Sequence, residues 1–337
     1  MKTKLLYIGN KLSIHGNTAT SIETLGSLLE IEGYQIEFAS SKKNKVLRII
    51  DMVSKTIKYS KKINIVLIDV YSTQNFWYAF IISRLCSFLR LKYIAKLRGG
   101  NLPQRLKNNP FLCQLIFKNA YKLVAPSNYL KSEFSKHFND NLVYIPNTIE
   151  IKNYPLFEKS FKEPKLLWVR SFSKIYNPKM AIDVLADLKS IFPNASLCMV
   201  GPDIDGSLIE TKDYASKLNL EVTFTGKLSK KEWIERSKEY NVFINTTHFD
   251  NTPVSVMEAM ALSFPVVSTN VGGIPFLLTN NENALLVQDS NVSEMSNAIK
   301  YLFENPDKAK TLSLNARKLA ENFDWNVVKN KWLEILK

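Results

Sequence analysis

The feature that most constrains the fold of this chain is a repeated alternation between short apolar runs and amphipathic segments. The apolar runs have the length of buried strands, and the segments between them have helical spacing. In the first half, strands are predicted at residues 5–8, 35–39, 63–69, 93–97, 123–125 and 142–145. Such alternation is typical of parallel sheets whose strands are joined by crossover helices.

The same alternation restarts after residues 153–165, a stretch that contains two prolines and lacks periodicity. Strands are then predicted at residues 166–169, 196–200, 222–225, 242–245 and 265–269, and helices at 178–191, 209–218, 230–240 and 253–261. A chain of 337 residues is long enough for about two domains. We therefore predict two doubly wound α/β domains, residues 1–158 and 159–322, with a ligand site where the strands end.

Charge is distributed unevenly along the chain. Residues 1–150 carry 22 basic and 9 acidic side chains, whereas the remaining 187 residues carry 23 and 22. The uncharged, apolar-rich stretch at residues 70–83 is shorter than the roughly 20 residues that cross a bilayer. The first residues do not resemble a signal peptide, and three scattered cysteines argue against a disulfide framework or a zinc site. We expect a soluble protein of a reducing compartment with a basic first half.

One segment of the second half combines several features of a phosphate-binding site. The strand at residues 242–245 is followed by Thr252 as a predicted N-cap and Pro253 as the first helical residue. The start of that helix offers free backbone N–H groups to an anion. Asp250 lies just before the helix, and Glu258 lies in its second turn. Taken alone, Asp250 is better explained as a capping residue and Glu258 as an ordinary surface residue of the helix.

The complete segment resembles a known enzyme family. Asp250-x7-Glu258, followed by Ala259-Met260-Ala261, Pro265-Val266-Val267 and Gly272-Gly273, resembles the E-x7-E region of family-four retaining glycosyltransferases of the GT-B fold. Shorter motifs agree in order: Ala125-Pro126-Ser127, Ile145-Pro146-Asn147, Val200-Gly201 and Phe224-Thr225-Gly226. The resemblance implies two facing Rossmann-like domains with a cleft between them, with a last helix at about residues 323–337 packing back on the first domain.

The resemblance assigns roles to residues of the second domain. Glu258 matches the acid that accepts hydrogen bonds from the ribose of a nucleotide, and Asp250 replaces the usual glutamate that approaches the donor sugar. Arg170 directly follows a strand and is expected to bind the diphosphate. Asp250 and Arg170 are therefore the predicted catalytic residues. The other predicted donor contacts are Asn251, Thr252, Pro253, Val254, Lys174 and Gly201, together with Thr225, Gly226 and Lys227, a segment that resembles the family's base-binding edge.

Two loops of the first domain provide candidates for the acceptor side of the cleft. His15, Gly16 and Asn17 lie in the loop after the first strand, and Arg98 and Gly99 follow a later strand. In the second domain, Tyr176 occupies the position at which the family has a diphosphate-binding lysine, so Lys174 and Tyr176 remain alternatives there.

The resemblance implies transfer of a sugar from a nucleotide diphosphate, with UDP favoured and GDP possible as the nucleotide and without an obligate cofactor. Asp203-Ile204-Asp205 formally matches a D-x-D metal motif, but it follows a strand in the wrong domain context, so no metal site is predicted. A sugar-nucleotide epimerase of the same fold and a catalytically silent nucleotide-sugar-binding protein remain alternatives. The chain has neither a Walker A nor a G-x-G-x-x-G motif, which disfavours ATPases and dehydrogenases.

The basic first half predicts an anionic partner. Lysines and one arginine are concentrated at residues 42–62, and the helix predicted at residues 76–90 is amphipathic. The simplest interpretation of that helix places its apolar face, including Trp77, Ile81 and Phe88, against the core. Because no nucleic-acid-binding motif accompanies the charge, we expect an anionic membrane with a glycan or lipid-linked acceptor. The predicted location is cytoplasmic, at the inner face of the membrane.

Overall fold

The computed structural model describes residues 3–16 and 19–337, and the chain divides into two compact units. The first unit comprises Met1–Pro146 together with Val328–Lys337, and the second comprises Asn147–Val327. Each unit contains one six-stranded sheet in which every pair of neighbouring strands is parallel. The predicted α/β architecture of two doubly wound sheets is confirmed.

The first unit places helices on both faces of its sheet. Its strands are β1 (Lys4–Ile8), β2 (Gln35–Ala39), β3 (Ile65–Tyr71), β4 (Lys92–Arg98), β5 (Lys122–Ala125) and β6 (Leu142–Tyr144). Its helices are α1 (Ser21–Ile31), α2 (Lys45–Tyr59), α3 (Phe76–Phe88), α4 (Leu102–Asn108), α5 (Pro110–Phe117) and α6 (Asn128–Phe138). The strand order is β2-β1-β3-β4-β5-β6. The central strands β1 and β3 are almost entirely buried, as parallel strands covered on both faces must be.

The second unit repeats this architecture with a different sequence. Its strands are β7 (Lys165–Val169), β8 (Ser196–Val200), β9 (Thr223–Gly226), β10 (Val242–Asn245), β11 (Val266–Thr269) and β12 (Leu285–Val287). Its helices are α7 (Pro178–Lys189), α8 (Ser207–Lys217), α9 (Lys230–Ser237), α10 (Val254–Ala261), α11 (Val292–Glu304) and α12 (Pro306–Glu321). The strand order is β12-β11-β10-β7-β8-β9, so β7 and β10 are neighbours at the centre of the sheet.

The boundary between the units lies earlier in the chain than the sequence predicted. The second unit begins at Asn147, rather than at residue 159. The reason is burial: Ile149 and Tyr154 pack in the core of the second unit, and the Ile149 N–H donates to the carbonyl oxygen of Phe323 over 3.0 Å. The last helix, α13 (Trp325–Ile335), begins in the second unit, while Val328–Lys337 belongs to the first.

The orientation of α3 also differs from the simplest sequence interpretation. Trp77, Ile81 and Phe88 are exposed, whereas Ser83 on the opposite side of the helix is fully buried. The side chains that do face the sheet are Phe76, Tyr78, Ala79, Ile82 and Cys86. The Ser83 hydroxyl donates to the carbonyl oxygen of Phe80 over 2.8 Å, so its burial leaves no unpaired donor. Phe76, Tyr78 and three smaller side chains therefore hold α3 against the sheet, while Trp77, Ile81 and Phe88 face outward.

Two further observations concern membranes and cysteines. Over residues 3–16 and 19–337, the structure contains no helix that is both long and apolar enough to cross a membrane. Cys86, Cys113 and Cys198 are all buried and unpaired. Burial raises the pKa of the Cys86 thiol to about 12, which keeps that thiol protonated and unreactive at neutral pH.

Candidate functional site

The candidate residues of the second unit lie at one edge of its sheet, where the parallel strands end. Arg170 directly follows β7, Gly201 directly follows β8, and Gly226 is the last residue of β9. Asp250 lies in the loop after β10, and Gly272–Gly273 lies after β11. Because the carboxyl ends of parallel strands meet at one edge, five sequence-distant loops are brought together there.

Arg170 and Asp250 form an ion pair through Nη2 and Oδ2, and their side chains are 18% and 14% exposed. Asp250 Oδ1 also accepts a hydrogen bond from the N–H of Asn251 over 2.7 Å. Burial lowers the pKa of the Arg170 guanidinium, although an arginine with a neighbouring carboxylate stays charged at any physiological pH. The two side chains that the sequence assigned to catalysis are thus in direct contact.

The aromatic ring of Tyr176 also contacts Arg170. Its centroid lies 4.3 Å from the guanidinium carbon, which is the geometry of a cation–π contact. The Thr246 hydroxyl contacts the carbonyl oxygens of Tyr176 and Asn177, each at 2.9 Å, and fixes this loop to β10. Lys174 lies in the same loop with an exposed side chain. Of the two alternatives for the family's lysine position, Tyr176 is therefore the residue that contacts Arg170.

The acidic pair of the D-x-D sequence stabilises local backbone. The Asp203 carboxylate accepts from the N–H of Gly206 over 3.0 Å, near the start of α8. The Asp205 carboxylate accepts from the hydroxyls of Ser207 and Ser173 and from the N–H of Lys174. These hydrogen bonds lower the pKa of Asp205 to about 2. In the part of the chain that the structure describes, no group of three or more His, Cys, Asp or Glu residues is arranged to bind a metal.

Two glycines allow the site loops to approach each other closely. A Cβ atom on Gly201 would lie 1.8 Å from the carbonyl oxygen of Arg170, and one on Gly273 would lie 1.9 Å from that of Asn251. The N–H of Gly273 donates to the carbonyl oxygen of Asp250 over 2.8 Å. Any side chain at either position would displace the backbone that carries Arg170 or Asp250.

Helix α10 starts one residue later than predicted. Pro253 is its N-cap and has extended backbone (ψ 121°), so the first helical residue is Val254 and Thr252 is not the cap. Asn251 and Pro253 are buried, Thr252 is half-buried and Val254 is exposed. Three residues, Asn251, Thr252 and Pro253, therefore separate Asp250 from the exposed first residue of α10.

Glu258 is a buried residue of α10, with 5% exposure. The Tyr154 hydroxyl donates to Glu258 Oε1 over 2.9 Å, and the ammonium of Lys230 contacts the same oxygen. Burial and the adjacent carboxylate raise the pKa of Tyr154 far above its ordinary value, so the phenol remains a donor. A carboxylate has two oxygens that accept hydrogen bonds, which suits it to bind a diol.

Both partners of Glu258 were missed by the sequence analysis. A signal for Lys230 does exist, because Ser229 and Glu232 form a capping box that starts α9 directly after the predicted base-binding segment. Tyr154 carries no such signal, since it lies 104 residues from Glu258 in a stretch without periodicity.

The predicted base-binding segment lies at the end of β9. The carbonyl oxygen of Gly226 accepts from the N–H of Gly201 over 2.9 Å, which joins this segment to the loop after β8. The Thr225 hydroxyl contacts the same carbonyl oxygen at 3.0 Å, and Lys227 is exposed. Thr225, Gly226 and Gly201 are therefore close to one another, and Gly201 contacts Arg170 in turn.

The candidates in the first unit lie in the loops after β1 and β4. His15 Nε2 lies 2.9 Å from the carbonyl oxygen of Ser41, and Gly16 ends a short 3₁₀ turn. Asn17 lies outside the described residues. Arg98 is the last residue of β4, and Gly99 follows it with a left-handed backbone (φ 82°).

A cluster of buried polar side chains lies close to Arg98. The Tyr7 hydroxyl donates to the fully buried Asp69 carboxylate over 3.2 Å, and Lys96 is also buried, on the adjacent strand. Burial and the charge of Arg98 lower the pKa of Lys96 to about 7, against the opposing effect of Asp69. The neighbouring Tyr71, together with Asp69, raises the pKa of Arg98. The sequence pattern predicts Asp69 and Lys96 as strand residues and indicates no role for either.

Residues 155–319, just under half of the chain, match the family model described as "Glycosyl transferases group 1". The matched range lies entirely within the second unit and contains Arg170, Gly201, Asp250 and Glu258.

Curated relatives carry the same kind of description. An uncharacterized glycosyltransferase of Methanocaldococcus jannaschii is 24% identical over 243 residues, which cover 70% of this chain and 66% of that protein. The capsular polysaccharide biosynthesis glycosyltransferase CapM of Staphylococcus aureus is 26% identical over 203 residues, covering 60% of this chain and 47% of CapM. The matched segments thus span between about half and two thirds of these relatives.

Solved structures match over the whole chain. A sucrose-phosphate synthase from Thermosynechococcus elongatus has a TM-score of 0.83 at 16% identity, with coverage of 99% of this chain and 98% of that chain. HepE of Anabaena, solved in complex with UDP and glucose, has a TM-score of 0.80 at 18% identity, with coverage of 99% of both chains. At these identities the likeness establishes the fold. The chain thus has the GT-B glycosyltransferase fold, and the match of its second unit to the group 1 model supports a glycosyltransferase of that superfamily.

Proposed function

We propose that this protein is a retaining glycosyltransferase that transfers a sugar from a nucleotide-diphosphate donor to a glycan or lipid-linked acceptor. The observation that carries the proposal is the contact between Arg170 and Asp250 in the unit that matches the group 1 model. A guanidinium and a carboxylate at the ends of adjacent strands offer a cation for the leaving diphosphate and an anion beside the sugar.

Donor binding would use three parts of the second unit. Glu258 would accept hydrogen bonds from the ribose hydroxyls, and the start of α10 would face the diphosphate. Arg170 would exchange its contact with Asp250 for the diphosphate, because a guanidinium binds phosphate bidentately. Asp250 would then be released toward the sugar. The solved complexes of HepE with UDP and with UDP-glucose favour UDP as the nucleotide, with GDP as the alternative.

Cationic side chains would stabilise the negative charge of the leaving diphosphate, a role that a metal ion has in other transferases. Arg170 and Lys230 are positive groups in the matched unit, and the Asp203 and Asp205 carboxylates are already engaged by hydroxyls and backbone N–H groups. We therefore expect that transfer does not require a divalent cation. Undiminished activity in EDTA would agree with this expectation.

The acceptor would bind at the first unit, where His15 and Gly16 lie in the loop after β1 and Arg98 and Gly99 lie at the end of β4. The name of CapM supports a role in cell-surface polysaccharide synthesis. The excess of basic side chains in residues 1–150 supports an acceptor held at an anionic membrane, on its cytoplasmic face.

A panel of nucleotide sugars tests the proposed function. Purified protein should be stabilised against heat by UDP or GDP, and should release the nucleotide slowly from one of the corresponding sugar donors. Nucleotide binding without cleavage of any donor would favour the silent binding protein. Conversion of a donor into its epimerised nucleotide sugar would favour the epimerase.

A further inference from the structure

Large apolar side chains are exposed on the outer face of neighbouring helices in the first unit. Trp77, Ile81 and Phe88 lie on one side of α3, and Phe88 is 83% exposed. Helix α2 packs against α3, and α3 packs against α5. We call this surface the α2–α3 face; its apolar members are Val46, Leu47, Ile50 and Ile57 of α2, Trp77, Ile81 and Phe88 of α3, and Phe111 of α5.

These side chains are additional to the core contacts of the same helices. Helix α2 buries Met52 and Thr56, and α3 buries Tyr78, Ala79 and Ile82, all on their inner sides. Both helices therefore have a complete inner face and a second apolar stripe facing outward. Large apolar side chains that are exposed together on helices packed against one another mark a site of interaction with another apolar phase or molecule.

Positive charge predominates in the part of the chain that forms the α2–α3 face. Residues 40–118 contain sixteen basic and only two acidic side chains. One of the two acids, Asp69, is fully buried, and the other, Asp51, pairs with Lys55 over 3.3 Å. Six lysines at the ends of α2 are exposed: Lys42, Lys43, Lys45, Lys58, Lys61 and Lys62.

The structure also removes two residues from the basic stretch predicted to face a membrane. Arg48 is buried and donates from Nε to the carbonyl oxygen of Lys42 over 2.8 Å. Lys55 donates to the carbonyl oxygen of Phe38 and pairs with Asp51. The cations available to an outside partner are therefore those at the two ends of α2.

We infer that the α2–α3 face inserts its apolar side chains into an anionic lipid bilayer, with Trp77 and Phe88 entering below the headgroups. This inference rests on the membrane-held acceptor of the proposed function and names the surface that would carry it. A bilayer supplies both required chemistries, an apolar interior and anionic headgroups. A second copy of this chain would bring the same positive charge, and a soluble anionic glycan would leave the apolar side chains in water.

Trp77 allows a direct test of insertion. It is 47% exposed, whereas the other four tryptophans (Trp168, Trp233, Trp325 and Trp332) are at most 6% exposed. With vesicles containing phosphatidylglycerol, the tryptophan emission should shift to shorter wavelength, and lipids brominated near the headgroup should quench it. The Trp77→Phe variant should still bind these vesicles, but its emission should show neither the shift nor the quenching. Vesicle binding by the wild type without quenching would overturn insertion, because it would show attachment by charge alone.

A pair of matched variants separates insertion from general loss of surface apolarity. The triple variant Trp77→Ser, Ile81→Ser, Phe88→Ser should bind anionic vesicles at least tenfold more weakly and should be released completely by salt. The control variant Ile204→Ser, Ile209→Ser, Leu314→Ser removes side chains of the second unit that are 54–66% exposed. It should bind like the wild type, and an equal loss of binding in both variants would contradict the inference.

Self-association and catalysis provide the remaining outcomes. A wild-type dimer that the triple variant abolishes, without binding to vesicles, would assign the face to a second copy and overturn the lipid inference. Donor cleavage measured in solution should be unchanged in the triple variant, since the site residues of the second unit are untouched. If the wild-type protein cleaves no donor, the proposed function is contradicted. The vesicle measurements would still test insertion of the α2–α3 face, because they do not depend on donor cleavage.

Discussion

Arg170 forms an ion pair with Asp250, and these residues follow β7 and β10, two strands that are neighbours at the centre of the second sheet. The pairing is a consequence of topology, because parallel neighbours bring their carboxyl ends, and the loops that follow, to the same place. Gly201 and Gly273 then allow the loops to approach until backbone touches backbone. Arg170 is a cation suited to bind a diphosphate. It also neutralises the Asp250 carboxylate, which would otherwise repel the diphosphate.

Asp250→Asn should separate nucleotide binding from transfer. Asparagine keeps the size of the side chain and an oxygen that accepts the Asn251 N–H, but it no longer neutralises Arg170. We expect UDP to bind with equal or modestly higher affinity, since Arg170 no longer has to exchange one anion for another. Transfer should fall by about 10²–10³-fold, as for other lost electrostatic contacts at a reacting centre. Calorimetry and nucleotide release measure the two effects; full transfer activity in the variant would rule out a role for the charge.

Glu258→Ala should weaken binding of the nucleotide. Loss of a charged acceptor costs about 1.5–3 kcal/mol, which is roughly a 10- to 150-fold loss of affinity. Glu304→Ala, which removes an exposed carboxylate at the end of α11, serves as the control and should bind UDP like the wild type. Unchanged affinity in the Glu258 variant, measured by calorimetry, would remove this residue from the site.

Gly273→Ala should destabilise the second unit and disturb its site. The added methyl group would meet the Asn251 carbonyl oxygen at 1.9 Å, so the backbone beside Asp250 has to move. Overpacking of this kind costs about 1–3 kcal/mol. Gly206→Ala is a useful comparison, because its methyl group meets nothing within 4 Å and only its left-handed backbone resists the change. Thermal unfolding measures the loss of Tm, and a transfer assay measures the loss of activity. We expect more activity to be lost per degree of lost Tm in Gly273→Ala than in Gly206→Ala. Equal ratios for the two variants would contradict the steric argument.

Lys96 should make the stability of the first unit depend on pH. Its pKa is lowered from an ordinary value near 10.5 to about 7, chiefly by burial. Between these values the unfolded chain binds a proton that the folded protein does not, so the free energy of unfolding gains a contribution as pH rises. The difference in unfolding free energy between wild type and Lys96→Met should therefore move in favour of the wild type from pH 7 to pH 10. Denaturant titrations at several pH values measure this difference, and a flat difference would show that Lys96 is charged throughout.

Local patterns in the sequence predicted most of the fold. The bounds of β2, β8 and β10 agree with the predicted strands, because β8 and β10 are largely apolar runs and β2 alternates polar with apolar residues. The three-residue strand β12 was missed, since Leu285–Val287 is too short to show a period. The outward orientation of Trp77 and Phe88 was also missed, because helical spacing defines two faces of a helix but not which of them the sheet will cover.

Contacts between distant loops were harder to predict. Arg170, Asp250 and Glu258 could be proposed from a family motif, but their partners could not. Tyr154 reaches Glu258 from the segment that the sequence assigned to a linker. Tyr176 contacts Arg170 from a loop whose backbone is hydrogen-bonded by Thr246. Such pairs depend on strand order and loop path, and neither is encoded in the local spacing of residues.

The most direct test of the central claim is a proton NMR time course of purified protein with an α-linked UDP-sugar and an acceptor. The account predicts that the anomeric signal of the donor disappears as UDP forms, and that the new glycosidic signal has the coupling of the same α configuration. The same reaction should be nearly absent with Asp250→Asn. A product of inverted configuration would contradict the retaining mechanism, and full activity in the Asp250 variant would contradict the assignment of the site.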